Sequence, residues 1–265
     1  MTTYCVALSK GGSTKTTTAA ELVAGLARRG RRVLAIDLDQ QGNLTMRMGV
    51  TPDTEVAGVT ADVLTAEVTA REAAIPAPTV PGAQIIAGTN DLIEIDTTLV
   101  PDLVTGLRDH LASDGHHWDD IVIDTPPSLA PLTLAGLAAA DVVVVSMACE
   151  VESFDQIARL EEVIERKISR RIRPGLHISW IVPTRYNGHR TLDKEILEMA
   201  QERHPGKVTA AVREGVAVKD AYTCGMPVSV YAPQSNPALD YQVALAPVLA
   251  ASTGHPATAG ASVGE

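Results

Sequence analysis

Residues 9–18 read Ser9-Lys10-Gly11-Gly12-Ser13-Thr14-Lys15-Thr16-Thr17-Thr18, and this stretch decides the fold. The apolar run Tyr4-Cys5-Val6-Ala7-Leu8 leads into it, and an Ala- and Leu-rich run to Leu26 leads out. That order is strand, glycine-bearing loop, helix. Such a loop turns the backbone N–H groups of its tight bend and of the first helical turn onto phosphate oxygens, and the helix N-terminus adds positive potential. In this pattern Gly11, Gly12, Ser13, Thr14 and Thr17 surround the phosphates. Lys15 reaches the β/γ-phosphates and the Thr16 hydroxyl ligates Mg²⁺. The plainer alternative is a Gly/Ser/Thr turn before an unrelated helix. Lys-Thr-Thr at the helix start, after a buried-looking strand, argues against it. One residue departs from the common pattern G-x-x-x-x-G-K-[ST], which places glycine directly before the lysine where this chain has Thr14. If that position needs positive φ, a β-branched residue there is strained, and the loop binds nucleotide weakly or in altered geometry.

Outward from the loop, strand and helix patterns alternate. This predicts an α/β fold, a doubly wound, mostly parallel sheet with helices on both faces. The first helix is expected over 15–29, ending at Arg28-Arg29-Gly30, and a second strand over Arg32–Ile36. Asp37-Leu38-Asp39 then falls at the carboxyl end of that strand, the edge at which open α/β sheets bind ligands. The segment Asp120-Ile-Val-Ile-Asp124-Thr-Pro-Pro127 repeats the arrangement: apolar residues ending in an aspartate at a strand tip, suited to holding Mg²⁺ through water.

At 265 residues the chain suits one large domain, expected over 1–251, with 252–265 a small, polar, disordered tail. Aromatic residues make up only 3%, so the core must be aliphatic. Cys5, Cys149 and Cys224 are odd in number and form no CxxC pair, which points to reduced thiols in a cytoplasmic protein. No stretch is long and apolar enough to span a bilayer, and no signal-peptide pattern precedes the first strand. Net charge is −10, against wholesale coating of nucleic acid, but unevenly spread. Residues 1–149 carry 9 Lys/Arg against 18 Asp/Glu, and residues 150–220 carry 13 against 12.

Between and beyond the motifs, a helix is expected near Ala61–Glu67 and a strand over Gln84–Ala87. Asp91–Asp109 reads as mostly helical with a break near Pro101. Further helix is expected over Leu132–Ala140, and strands over Val142–Met147 and His177–Pro183. Gly115 to Asp119 reads as a connection whose His116-His117 pair is a surface feature. Ser153-Phe-Asp-Gln156 fits a capping box opening a helix with an apolar face of Phe154, Ile157, Leu160, Val163 and Ile164. That helix ends in Arg166, Lys167, Arg170, Arg171 and Arg173. This cluster reads equally as a solvated helix terminus or as a DNA-facing patch. Asn236-Pro237 starts a last helix reaching about Ala250.

Lys10-Gly-Gly-Ser-Thr-Lys15-Thr-Thr resembles the deviant phosphate loop K-G-G-x-G-K-[ST]-[ST] of the ParA/MinD class of P-loop ATPases. Asp37-Leu-Asp39-Gln-Gln-Gly-Asn43 resembles D-x-D-P-Q-G-N, with Gln40 in place of Pro. Asp124-Thr-Pro-Pro-Ser-Leu129 resembles D-x-P-P-S-L. Gly225-Met-Pro-Val228 and Tyr231-Ala-Pro-Gln-Ser235 resemble G-x-P-[VI]-x-x-Y-x-P-x-S. These narrow the likeness to the ParA-type, Soj-like partition ATPases, and it runs from about Thr3 to about Ala250. The resemblance implies that Lys10 reaches across a homodimer to the partner's ATP, that Asp39 orients the attacking water, and that Asp37 supports Mg²⁺ and the loop. It implies adenine near Thr184 and Pro233, and DNA contacts at Arg190, Arg213 and Lys219. It also implies nonspecific DNA, a ParB-class centromere-binding protein, and association with the nucleoid.

Three other readings are weighed. A MinD-like membrane regulator needs a terminal amphipathic helix with a basic face, and 252–265 has no basic residue. A reductase of the same superfamily needs cluster cysteines that Cys149 and Cys224 do not supply. A scaffold that binds nucleotide without turnover is kept open by Thr14.

Overall fold

The computed structural model describes residues 1–10, 12, 14–97, 102–114 and 117–251. Gly11, Ser13, the expected break at Pro101, Gly115, His116 and the expected tail 252–265 lie outside the described residues. Seven strands make one sheet: β1 (Thr2–Val6), β2 (Val33–Asp37), β3 (Ile75–Pro76), β4 (Ala83–Ile86), β5 (Asp120–Asp124), β6 (Val142–Ala148) and β7 (Ile178–Thr184), in the order β3-β4-β2-β5-β1-β6-β7. Every pairing is parallel except β3 with β4, as the alternating pattern predicts.

Side chains of β5 alternate between the two faces. Val122 joins a core with Tyr4, Leu22, Leu26, Leu245 and Leu249, beneath α1 (Lys15–Ala27) and the last helix (Asn236–Ala251). Ile121 and Ile123 face the other way, with Leu34, Ile36, Leu107 and Leu132, under the helices Leu103–Ser113 and Pro131–Ala139. Each fully buried Leu, Ile or Val contributes roughly 1.5–3 kcal/mol, so two aliphatic layers can hold the sheet with few aromatics. The register then fixes the chemistry. Asp124 on β5 is level with Asp37 on β2 and Val6 on β1, which brings both aspartates to the mouth of the loop that follows β1.

The structure departs from the sequence reading at several elements. The first strand ends at Val6, so Ala7 and Leu8 already belong to the loop's approach, and the first helix stops at Ala27. The helix expected from Ser153 starts at Val151 with Glu150 as its cap, which leaves Ser153 buried inside it. The acidic residues Glu150 and Glu152 suit that positive helix start. The same helix runs on as a π-helix over Ile164–Ser169. Helices over Thr191–Arg203 and Val216–Thr223, and the edge strand β3 at a proline, were not expected.

Candidate nucleotide site

Lys15 opens α1 and is buried, and its ammonium donates to the Lys10 carbonyl at 3.0 Å, bridging the loop it closes. Burial pulls its pKa down, while Asp124 and Asp39 pull it back. Asp124 is fully buried, with the Thr16 hydroxyl and Lys15 beside it, but neither carboxylate oxygen has a partner in good hydrogen-bond geometry among the described residues. Burial, with the nearby charge of Asp37, pushes it up to about 8, against the pull of the Thr16 hydroxyl and Lys15. An orphaned carboxylate between Lys15 and Thr16 fits a site completed by a hydrated cation and phosphate oxygens. Mg²⁺ is usually held this way, by one or two carboxylates with substrate and water.

Asp37 is engaged differently. Its Oδ1 accepts the Asp39 N–H at 3.1 Å, and its Oδ2 accepts the Thr45 N–H and hydroxyl at 2.9 and 2.8 Å. Burial nevertheless pushes it up to about 6. With both oxygens taken, Asp37 shapes the loop that presents Asp39, anchoring it to α2 (Asn43–Arg47). Thr45 accepts in turn from the Gly88 N–H at 2.9 Å. Gly88 packs so closely that a Cβ there would lie 2.8 Å from the carbonyl oxygens of both Asp37 and Asp39. Asp39 is held by the Gln41 N–H at 3.0 Å and lines a cleft of about 330 Å³ with Lys15, Thr16, Thr17 and Arg47.

Thr14 takes the backbone conformation of the glycine it replaces, with φ 65° and ψ 17°. A left-handed non-glycine residue costs about 1–3 kcal/mol. Its own hydroxyl offsets this: Thr14 Oγ1 lies 2.6 Å from Thr184 Oγ1 and 2.9 Å from Ser146 Oγ. Ser146 continues the chain of hydroxyls to Thr18 at 2.9 Å, and Thr18 to Tyr241 at 3.3 Å. The loop therefore keeps positive φ at this position, tied to the tips of β6 and β7. Thr184 and Thr14 also line a second cleft of about 220 Å³, with Val212, Lys219 and Tyr241. Pro233 is exposed and borders neither cleft.

Lys10 turns back onto its own chain. Its ammonium pairs with Glu150 and, at 3.0 Å, with Glu152. Burial pulls its pKa down, but those two carboxylates outweigh it and hold the group above the usual lysine value. Glu150 also receives Arg185 at 2.9 Å.

The candidate DNA cations do not form one patch. Arg190 and Arg213 follow β7, at the sheet edge that carries the phosphate loop. Arg170 and Arg171 end the crossover between the parallel strands β6 and β7, and so lie at the opposite edge. Arg173, beside them, pairs with Asp141 at 2.6 Å, immediately before β6. Three of the five candidates face intramolecular carboxylates. Arg213 is gripped by Asp240 at 2.7 and 2.8 Å, Arg190 lies 3.7 Å from Glu214, and Arg170 pairs with Glu165 at 2.9 Å. Lys219 and Arg171 form no ion pair among the described residues. The sequence reading missed Ser146, Glu150, Arg47 and Tyr241. None stands next to a motif residue that would single it out.

Comparison with known proteins decides the family. A family model described as AAA domain matches residues 1–178. The chromosome-partitioning ATPase Soj of Thermus thermophilus is 35% identical over 239 residues, covering 89% of this chain and 91% of that protein. The chain belongs to the ParA/Soj family of partition ATPases. The chromosome partitioning protein ParA of Caulobacter vibrioides is 33% identical over 231 residues, 85% of each chain. Among solved structures, a Mycobacterium smegmatis protein titled cobyrinic acid a,c-diamide synthase, with bound ADP and magnesium, superposes with a TM-score of 0.77 at 28% identity. It covers 96% of this ParA/Soj-family chain and 97% of its own. The cell division ATPase MinD of Pyrococcus furiosus matches in fold, with a TM-score of 0.74 at 24% identity, covering 95% of this chain and 97% of its own. Among the described residues no helix is long and apolar enough to cross a membrane.

Proposed function

We propose that this chain is an ATP-dependent partition switch whose single domain spans 1–251. The observation that carries this is the buried Asp124, which has no partner in good hydrogen-bond geometry among the described residues, beside Lys15 and Thr16 at the mouth of the phosphate loop. Lys15 and the loop N–H groups bind the phosphates, Thr16 and Asp124 hold Mg²⁺, and Asp39 orients the water that attacks the terminal phosphate. Mg²⁺ supplies charge neutralisation at the phosphate oxygens. The adenine lies toward Thr184, in the second cleft. Lys10 exchanges Glu150 and Glu152 for the phosphates of a second copy's ATP, so ATP binding and homodimerisation are one event.

The dimer binds nonspecific DNA and is cytoplasmic and nucleoid-associated. Hydrolysis stimulated by a ParB-class protein releases it. Of the DNA candidates, Lys219 and Arg171 are the cations without a carboxylate partner among the described residues, and the paired Arg190, Arg213 and Arg170 must exchange partners to reach phosphate. Retention on nonspecific DNA, measured with ATP, with ADP and without nucleotide at two salt concentrations, tests this. Binding that needs ATP, falls with salt and disappears in Lys10→Ala is expected. Equal binding in all three states, or none, would overturn the DNA switch. The left-handed Thr14 favours a second reading, a scaffold that binds ATP without turnover, and absence of phosphate release with a ParB-class partner would support it.

A further inference from the structure

Arg47 is the last residue of α2 and is 5% exposed. Its guanidinium has no carboxylate within ion-pair distance among the described residues. Nη1 donates to the Met226 carbonyl at 3.3 Å, the Tyr222 ring centre lies 5.2 Å from Cζ, and Nε has no partner among the described residues. The surroundings hold it in place. The Tyr222 hydroxyl donates to Asn43 Oδ1 at 3.1 Å, and Gly225 lets the 222–226 segment approach so closely that a Cβ would meet the Met46 carbonyl at 2.9 Å. The acidic groups whose charge it feels are occupied or distant. Glu21 accepts the Ser229 N–H at 3.1 Å, and Asp124 acts on Arg47 only through space. A guanidinium stays protonated at any ordinary pH, so this is a buried charge with no ion-paired carboxylate among the described residues, an arrangement that folded chains avoid.

The same side chain lines the cleft shared by Lys15, Thr16, Thr17 and Asp39. We propose that Arg47 is a second cationic contact from the same chain to the phosphates of the bound nucleotide, reaching them from α2 while Lys15 reaches them from α1. The ligand thus provides the counter-charge that the fold lacks. This rests on reading the cleft as a nucleotide site. A role in packing alone, stapling α2 to residues 222–226, is the competing account.

Arg47→Met keeps the apolar stem and removes the charge, and Arg47→Lys keeps the charge and removes the planar stack on Tyr222. The full chain is melted without ligand and titrated calorimetrically with Mg·ADP and with pyrophosphate, beside wild type and Lys15→Ala. Arg47→Met is expected to melt no lower than wild type without ligand and to bind both probes roughly 10- to 100-fold more weakly, the worth of one charge-assisted hydrogen bond. Arg47→Lys is expected to recover most of that affinity even where its melting temperature falls. Arg47→Met binding both probes like wild type, or Arg47→Lys binding as weakly as Arg47→Met, would leave Arg47 a packing residue and overturn the proposal. Wild type binding neither probe, or Lys15→Ala binding like wild type, would instead overturn the nucleotide site itself, and this inference with it.

Discussion

Strand β5 begins and ends with an aspartate, and its two ends are built on opposite principles. At the amino end, Asp120 receives the Arg31 guanidinium at 2.6 Å, and its neighbour Asp119 receives Arg32 at 2.8 Å. Across the sheet at the same edge, Asp141 pairs with Arg173 and accepts the Thr3 N–H at 2.9 Å. At the carboxyl end, four residues on, Asp124 is equally buried, and neither oxygen has a partner in hydrogen-bond geometry among the described residues. One edge neutralises its charges from within the chain, and the other leaves them for something that binds. Burying an uncompensated carboxylate costs free energy, and a fold retains one where a ligand recovers that cost.

The largest effect tests this contrast directly. Asp120→Ala is expected to lower the free energy of unfolding by about 2–4 kcal/mol, since it strands a partly buried arginine. Asp124→Ala should leave nucleotide-free stability unchanged or raise it by about 1 kcal/mol while removing Mg²⁺-dependent binding. Chemical denaturation of both variants checks this, and equal losses would erase the contrast.

Next comes pH. A carboxylate whose folded pKa is raised stabilises the fold below its unfolded value, near 4, and that contribution fades as pH rises through the folded value. Asp37, pushed up to about 6, and Asp124, pushed up to about 8, act with the same sign. The nucleotide-free protein should therefore lose melting temperature between about pH 4 and 8, with the part above pH 6 coming from Asp124, and Asp124→Asn should lose less there. A flat profile in wild type would show that the carboxyl edge is already compensated.

A smaller effect separates strain from bonding at Thr14. Thr14→Val keeps the left-handed β-branched residue and deletes the hydroxyl, so it should cost about 1–3 kcal/mol. Thr14→Gly removes strain and hydroxyl together and should fall within about 1 kcal/mol of wild type. Thermal melts of the pair decide it. Smallest is a labelling difference. Cys149 is buried, which pushes its thiol up to about 12, whereas Cys224 is exposed. Alkylation of the folded chain at pH 8 should modify Cys224 and spare Cys149, read by peptide mass.

The legible parts of this protein are those whose chemistry is contiguous. Thr2–Thr18 and Asp120–Pro127 each carry strand, turn and functional group in one run, so periodicity and a few polar residues disclosed both the parallel sheet and the edge at which it works. What escaped depends on residues far apart in the chain. Thr14 meets Thr184 across 170 positions, and Arg47 meets Met226 across 179. No local pattern links them. The Thr191–Arg203 helix was hidden for a different reason: it buries only Asp193, Ile196 and Ala200, too narrow a stripe to read as amphipathic. The capping box at Ser153 misled because its residue types also suit the interior of a first turn already capped by Glu150.

Gly88 carries a warning for anyone mapping function by substitution. The position contributes no side chain, yet an added methyl would press on the carbonyls of Asp37 and Asp39 together and push the loop that presents Asp39 out of place. A saturation screen scored on turnover will rank Gly88 beside the acidic residues, although it acts only as clearance. Scores along this loop therefore measure tolerance for bulk as well as chemistry, and the two separate only when each variant is also assayed for the loop's own shape.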